Sequence, residues 1–432
     1  MPTTQPTGLR RAPEAMPEPA RLATELEELA ALREPDRPGW TRRVFSEPDQ
    51  SARRWVADRM RQAGLHVDVD AAGNVVGTLP GSGGGGPALV SGSHLDTVDG
   101  GGRFDGMVGV LGALEVARCL QASGRPLRHD LRVVSFCGEE PNAFGLSCVG
   151  SRAVAGTLTA EHLALTDPQG RTLAAALAAA GGDPERAWRC AWRPEAVHAY
   201  CELHIEQGPR LEAAGVPIGV VQAIAGLHRC RASFTGRADH AGTMPMTRRR
   251  DALCAAAEWI LALEASAQDG DGVATAGRVT VAPGAVNVVP QSAVVSAELR
   301  SVDAGWLAER HPRLAVAAQA AGRARGVEAV LHWLSAEPPT PCAPAVQAAV
   351  RTAAQRRGQP TLDVPSGAGH DAVPMAHLGP VGMLFVPSRE GRSHCPEEWT
   401  DLDAIVTGVA VLLEALRELD GVADCRGPRP AG

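Results

Sequence analysis

The sequence predicts an α/β protein with an open sheet, interrupted by a small inserted α+β domain. Four short apolar runs end in, or lead directly to, chemically active polar side chains. Polar groups that follow strands are typical of an open α/β sheet, whose ligand site lies beyond the carboxyl ends of its strands. The middle third instead has the order strand, helix, strand, strand, helix, strand, which favours a ferredoxin-like domain.

The chain before the first apolar run predicts two helices and a hairpin. Residues 19–33 and 47–64 carry apolar side chains at helical spacing. Residues 65–81 alternate between apolar and polar side chains and turn at Gly73, as the strands of a β-hairpin do.

The four apolar runs predict the strands of the main sheet. They are 87–94 with His94, 130–140 with Glu139 and Glu140, 197–207 with His204, and 381–394 with His394. Residues 107–121, between the first two runs, have helical spacing and complete a strand–helix–strand pattern.

The middle third predicts a separate domain. Its strands are expected over 230–236, 273–283, 292–301 and 327–334, and its helices over 251–268 and 303–325. We therefore predict a disordered tail over 1–18, a main domain over 19–224 and 335–424, and an inserted domain over 225–334.

Composition narrows the possible partners. The 432 residues carry a net charge of −7, which argues against a nucleic-acid binder. No run reaches the roughly 18 apolar residues of a membrane span, and the first residues lack the apolar core of a secretory signal. Ten cysteines without a CxxC pair are typical of a protein in a reducing compartment, so we expect a cytoplasmic protein. Because no apolar run is long enough to span a membrane, we expect no membrane partner.

The strongest chemical signal is the segment SGSHLDTVDGGGRFDG at 91–106. Together with the other strand ends, it supplies the candidate metal ligands His94, Asp96, Asp99, Asp105, Glu139, Glu140, His204 and His394. Imidazole with carboxylate suits zinc, manganese, cobalt or nickel, and a carboxylate can bridge two cations. A lone histidine at a strand end is usually a solvated or core residue, but so many such groups beyond one sheet predict a metal centre.

These segments resemble the hydantoinase/carbamoylase family of amidases, which are dinuclear-metal amidohydrolases related to zinc aminoacylases and carboxypeptidases. The matching segments between 91 and 398 are GSHLDTV, GGRFDGMVGVLGALEV, EEPNAFGLSCVGSR, ELHIEQGPRLE, DHAGTMPMTRRRDAL, GAVNVVP, ELRS, SGAGHDA and FVPSREGRSHCPEE. The resemblance implies an open mixed-sheet metallohydrolase domain, with the inserted ferredoxin-like domain serving as a lid and dimerisation domain.

The resemblance also implies that each subunit binds two divalent metal ions. Zinc is the first choice, and manganese, cobalt and nickel are alternatives. His94 and His204 would bind one ion, Glu140 and His394 the other, and Asp105 would bridge them.

Two further acidic residues receive roles from the resemblance and from their positions. Asp96 lies two residues after His94, where it can accept the second imidazole N–H and fix the tautomer. Glu139, beside the ligand Glu140, would be the general base.

The implied substrate contacts are Gln207, His240, Asn287, Arg300, Gly367 and Gly369. Arg300 can hold a carboxylate with two parallel hydrogen bonds, and His240 and Asn287 can donate to a developing oxyanion. Glycines let backbone N–H groups approach a ligand closely. The resemblance also implies a homodimer in which His240 reaches the active site of the partner subunit. His370 and Asp371 are interpreted as loop-orienting residues.

The implied activity is removal of the N-carbamoyl group from an N-carbamoyl-L-amino acid. Allantoate and β-ureidopropionate are alternative ureido substrates, and an aminoacylase or dipeptidase is a more distant alternative. A ligand-binding protein that lost catalysis is disfavoured because Glu139 and every implied ligand are present. A nucleotide-dependent enzyme is disfavoured because the glycines at 81–86 precede no GK[ST] motif. Ala143 stands where many relatives have arginine, which leaves the preferred substrate side chain open.

Overall fold

The computed structural model describes residues 15–426, which form two compact units. The main unit comprises the chain up to Gln222, Cys342–Val364 and the chain from His370 onward, and the inserted unit comprises Ala223–Pro341 and Pro365–Gly369. Of the predicted disordered tail, residues 1–14 lie outside the described residues. The backbone N–H of Glu18 donates to the Glu115 carboxylate over 2.8 Å.

The strands, numbered along the chain, are β1 His66–Val69, β2 Val75–Leu79, β3 Ala88–His94, β4 Leu131–Phe136, β5 Val197–Ile205, β6 Ile218–Ile224, β7 Gly226–Thr235, β8 Val273–Ala282, β9 Ser292–Ser301, β10 Glu328–Glu337, β11 Thr340–Pro341, β12 Thr361–Ser366 and β13 Val381–Val386.

The α-helices are α1 Pro19–Ala31, α2 Glu47–Gln62, α3 Met107–Ala122, α4 Val149–Val154, α5 Ala160–Leu163, α6 Leu173–Ala179, α7 Pro184–Ala187, α8 Arg210–Ala214, α9 Ala252–Ala265, α10 Ala304–Arg325, α11 Pro344–Arg356, α12 Ala372–Met375 and α13 Leu402–Gly421. Short 3₁₀ turns occur at Pro194–Ala196, Met246–Arg248 and Arg389–Gly391.

The large sheet has the order β1-β2-β4-β3-β5-β13-β6-β11, and β12 also pairs with β6. Its central strands β4, β3, β5 and β13 are parallel neighbours, whereas β2 and β6 run antiparallel to them. These central strands are the four predicted apolar runs, so the predicted open mixed α/β sheet is confirmed. Their carboxyl ends therefore meet at one edge of the sheet.

Burial explains why these runs are continuous rather than alternating. Every residue of β3, β5 and β13 is buried, as expected for parallel strands covered on both faces. Helices α3, α11 and α13 contact these strands with their apolar faces and form the core of the main unit. This packing holds the carboxyl ends of the strands in fixed positions.

The inserted unit contains a four-stranded antiparallel sheet in the order β10-β7-β9-β8. Strand β9 alternates, with Val295 and Leu299 buried in a core formed with α9 and α10. Glu298 and Arg300 point to the opposite face of the sheet because side chains alternate along a strand. The predicted ferredoxin-like order of strands and helices is confirmed.

Strands β6, β11 and β12 and the short helices between β4 and β6 were not predicted. No helix in the described part of the chain combines the length and the apolar character needed to cross a membrane.

Candidate metal centre

The predicted ligands of the main unit converge at the carboxyl ends of the central strands. His94 is the last residue of β3, His204 lies near the end of β5, and Glu140 follows β4. Asp105 lies in the loop before α3, and His394 follows β13. Their ligand atoms form two sets in which all atoms lie within 4.8 Å of one another, and both sets contain Asp105.

The two oxygens of Asp105 face different sets. Asp105 Oδ1 lies 3.1 Å from His204 Nε2 and 3.6 Å from His94 Nε2. Asp105 Oδ2 lies 3.1 Å from His394 Nε2, which is 3.4 Å from Glu140 Oε1. The structure thus groups these residues in the pairs that the family resemblance implied.

Backbone carbonyls fix the tautomers of the two buried histidines. The Nδ1–H of His94 donates to the Asp96 carbonyl over 3.0 Å, and the Nδ1–H of His204 donates to the Ile205 carbonyl over 2.9 Å. Each ring therefore turns Nε2 toward Asp105, and Nε2 is the ring nitrogen that is left to bind a metal ion.

Asp96 does accept from His94, but through its carbonyl rather than through its carboxylate. Its Oδ1 lies 3.7 Å from His94 Nδ1. The carboxylate instead accepts the backbone N–H groups of Glu139 over 3.2 Å and Glu140 over 3.1 Å. Asp96 therefore orients both the first histidine and the acidic pair.

The chemistry of this donor set fits divalent cations. Asp96, Asp105, Glu139 and Glu140 are all buried. Burial raises the pKa of Glu139 well above its usual range, although nearby His94 opposes the shift. Burial also opposes ionisation of Asp105, but hydrogen bonds from the imidazoles hold its pKa well below the usual range. Buried acids at this density call for compensating cations.

Distances give a second test of fit. Donor atoms that share one tetrahedral ion at bond lengths of ~2.1 Å lie about 3.4 Å apart. The separations of 3.1–3.6 Å around Asp105 agree with that spacing. The ligand atoms of a further set, Glu202, His204 and His370, also lie within 4.8 Å of one another. The Glu202 carboxylate, however, already contacts the hydroxyls of Ser93 and Tyr200 at 2.7 and 2.9 Å, so the ligand sets that share Asp105 fit better.

Gly106 makes room for this arrangement. A Cβ atom there would lie 2.6 Å from ring atoms of His94, and its φ of +71° also favours glycine. The glycine at position 106 therefore has a steric cause.

Glu398 is a site residue that sequence reasoning missed. One of its oxygens accepts the backbone N–H groups of Phe104 over 2.9 Å and Asp105 over 3.1 Å, and the other accepts the Ser393 hydroxyl over 2.7 Å. It thus holds the Asp105 loop and the segment before His394 together. The available signal was the acidic pair in the same HCPEE motif.

Gln207, predicted as a substrate contact, lies against the carboxylate of Asp105. Its Nε2 donates to Asp105 Oδ2 over 2.7 Å and lies 3.4 Å from His394 Nε2. Its buried Oε1 has no partner among the described residues.

Two predicted substrate residues, His240 and Asn287, lie on neighbouring loops of the inserted unit. The Asn287 carbonyl accepts the N–H of Ala241 over 3.0 Å, and a β-bridge joins His240 to Val288. His240 is exposed, and its Nδ1 accepts the N–H of Gly242 over 3.0 Å. Its Nε2 therefore carries the proton and is the atom able to donate.

Arg300 lies on the sheet of the same unit. Its Nε and Nη2 contact Glu298 Oε1 at 2.8 and 2.7 Å, and its Nη1 donates to the Gly367 carbonyl over 3.0 Å. A Cβ at Gly367 or Gly369 would meet no atom of the described chain within 4 Å. Gly367 thus contacts Arg300 through its carbonyl, and both glycines border open space.

A profile of the peptidase family M20/M25/M40 matches residues 90–418. The chain belongs to this family. The assignment agrees with the predicted relationship to zinc aminoacylases and carboxypeptidases, and it makes the chain a member of a metal-dependent hydrolase family.

The relatives that this chain matches are named as hydrolases of carbamoyl or ureido compounds. The chain is 40% identical over 400 residues to an N-carbamoyl-L-amino acid amidohydrolase of Geobacillus stearothermophilus, covering 92% of this chain and 98% of that protein. It is 36% identical over 409 residues to a ureidoglycolate hydrolase of Oryza sativa subsp. japonica, covering 92% and 84%. These relatives confirm the prediction of a hydrolase that acts on C–N bonds of linear amides.

A solved structure of an amidase resembles this chain over nearly its whole length. An amidase of the hydantoinase/carbamoylase family from Burkholderia multivorans superposes with a TM-score of 0.85 at 36% identity, covering 94% of this chain and 99% of that one. The predicted resemblance to hydantoinase/carbamoylase amidases is therefore confirmed.

Proposed function

We propose that this protein removes the N-carbamoyl group from an N-carbamoyl-L-amino acid and releases the amino acid, carbon dioxide and ammonia. The observation that carries the proposal is the pair of ligand sets sharing Asp105, with the buried Glu139 beside them. The name of the Geobacillus relative supports the carbamoyl substrate, and the name of the rice relative supports ureidoglycolate as the second candidate.

Two divalent ions are assigned to this centre, zinc first and manganese, cobalt or nickel as alternatives. His94 and His204 would hold one ion and Glu140 and His394 the other, with Asp105 between them. When bound, such ions polarise a carbonyl oxygen and lower the pKa of water.

Glu139 would act first as the general base and then as the general acid. Its Oε2 lies 3.7 Å from His94 Nε2, at the edge of the ligand sets. From there it can take a proton from the water that attacks the ureido carbon. It can then deliver that proton to the amino-acid nitrogen as the C–N bond breaks. The carbamate released would decompose to carbon dioxide and ammonia.

The inserted unit would supply residues that bind the substrate. Arg300 presents a guanidinium fork suited to the carboxylate of an amino acid, and Glu298 holds that fork in a defined orientation. The N–H groups of His240 and Asn287 would donate to the oxygen of the ureido group as its negative charge develops.

A substrate panel tests the function. Metal-loaded protein is expected to give its highest kcat/KM on an N-carbamoyl-L-amino acid, with much lower values on the D-enantiomers and on amide analogues that lack the carboxylate. Steady-state ammonia release measures all of them. A higher kcat/KM on ureidoglycolate, allantoate or β-ureidopropionate would transfer the assignment to that substrate. Absence of hydrolysis across the panel would overturn it.

We further propose a homodimer in which His240 serves the partner's active site. The exposed position of His240, with Nδ1 engaged by Gly242 and Nε2 left as the donor, supports donation beyond its own unit.

Mixing two inactive variants, Glu139→Gln and His240→Ala, tests this sharing of residues. With random exchange, about half of the dimers are heterodimers, and each has one intact and one doubly defective site, so about a quarter of the parent activity returns. If His240 serves its own chain, every site retains one defect and no activity returns. Subunit exchange is verified separately with differently tagged chains.

A further inference from the structure

The thiol of Cys148 lies against the carboxylate of Glu139. Cys148 Sγ is 3.7 Å from Glu139 Oε1. Cys148 is thus identified as a hydrogen-bond donor to this carboxylate among residues 15–426. The proposed base thus accepts from a side chain to which the proposed function assigns no role.

Backbone hydrogen bonds hold Cys148 and Glu139 next to each other. Cys148 N donates to the Glu139 carbonyl over 2.9 Å, and Val149 N donates to the Gly138 carbonyl over 2.9 Å. Gly150 N donates to the Cys137 carbonyl over 2.7 Å. The start of α4 is therefore tied to the segment that carries the base, and the thiol has little freedom to move away.

Cys148 also has a backbone conformation that disfavours a side chain. Its φ of +58° and ψ of +41° lie in the left-handed region, where glycine is the least strained residue. A residue with a Cβ persists in such a conformation only where its surroundings enforce it, and such residues cluster at functional sites. Strain and contact together indicate a role for the side chain itself.

The surroundings keep the thiol protonated. Cys148 is buried, and burial, with the nearby carboxylates of Glu139 and Asp371, raises the pKa of the thiol well above its usual range. A neutral S–H is a weak donor and a poor nucleophile or metal ligand. Its available chemistry is therefore donation to Glu139.

We propose that Cys148 is a positioning residue whose S–H holds Oε1 of Glu139 and leaves Oε2, the oxygen nearer His94, to carry the proton. The inference rests on the proposed role of Glu139 as the base. A weak donor suits the task, because a strong hydrogen bond to the carboxylate would lower its basicity.

Three substitutions at this position separate the thiol from the strain. Cys148→Ala and Cys148→Gly are each expected to lower kcat about tenfold with KM nearly unchanged, because a loosened base affects proton transfer rather than binding. Cys148→Ser retains a donor and is expected to stay within about threefold of the parent. Cys148→Gly is expected to raise the melting temperature above that of Cys148→Ala, because it removes the left-handed strain.

The controls are metal content, which is expected to match the parent in all three variants, and Cys119→Ala. Cys119 is a buried thiol of α3 outside the site, so its loss is expected to leave kcat unchanged. A Cys148→Gly variant with parental kcat would overturn the proposal, because the side chain would then be dispensable.

A double-mutant cycle ties the effect to the base. In a Glu139→Gln background, adding Cys148→Ala is expected to change kcat by less than about twofold, because the interaction partner is already lost. The same tenfold loss in that background would overturn the positioning role while leaving Glu139 as the base. A near-parental kcat of Glu139→Gln alone would instead remove the base assignment.

Discussion

Replacing Glu139 by glutamine is expected to lower kcat by about 10²–10⁴ while the metal content stays at the parental level. Glutamine preserves the size of the side chain but cannot accept the proton of the attacking water. Glu139 belongs to neither ligand set around Asp105, so the substitution leaves the proposed ligands intact. Single-turnover rates, with metal analysis of the same samples, measure both quantities.

The neighbouring residue provides the matched control. Glu140 belongs to the set with Asp105 and His394, so Glu140→Gln is expected to lose bound metal as well as activity. Near-normal kcat in metal-replete Glu139→Gln would assign the proton transfer to another group.

Removal of metal is expected to abolish activity completely, and zinc, manganese, cobalt or nickel is expected to restore it. Nitrogen and oxygen donors bind all of these ions. Because the buried carboxylates of Asp105, Glu139 and Glu140 lose their compensating charge, the metal-free protein is also expected to melt at a lower temperature.

Activity assays and thermal melts on chelated, dialysed and reloaded samples measure both effects. Exposure of the parent protein to chelator followed by immediate reloading controls for irreversible damage. Full activity in protein verified to be metal-free would refute the metal-dependent mechanism.

The central sheet was predictable because its strands are buried on both faces. Such strands form continuous apolar runs, and each of these runs is followed by polar residues. Strand β6 was missed because it is placed by pairing with β13 and not by a polar ending. Strand β12 is short and contains Pro365, which weakens the local signal. Strand β10 extends to Glu337, beyond the predicted end at 334, because a bulge after Trp333 lets the pairing continue.

The candidate ligands were predictable because strand ends are fixed by the sheet. Contacts made across long sequence distances were not. Glu398 binds the Asp105 loop from 293 residues away, and no local pattern links the two segments. The hydrogen bond from His94 to the Asp96 carbonyl depends on how the chain turns after β3, and spacing alone pointed to the carboxylate instead. The contact between Cys148 and Glu139 likewise depends on a left-handed turn that is unusual for cysteine.

The position of β13 constrains how the protein is made. This strand is the last in the described chain, yet it lies inside the sheet between β5 and β6. During synthesis, the edge of β5 that pairs with β13 therefore has no partner strand until residue 386 has left the ribosome. His394 leaves the ribosome later still. A nascent chain presents an open strand edge throughout this interval, which favours misassociation with other chains. The ligand set that contains His394 is therefore complete only near the end of synthesis, and a chain truncated before β13 lacks the strand that joins β5 to β6.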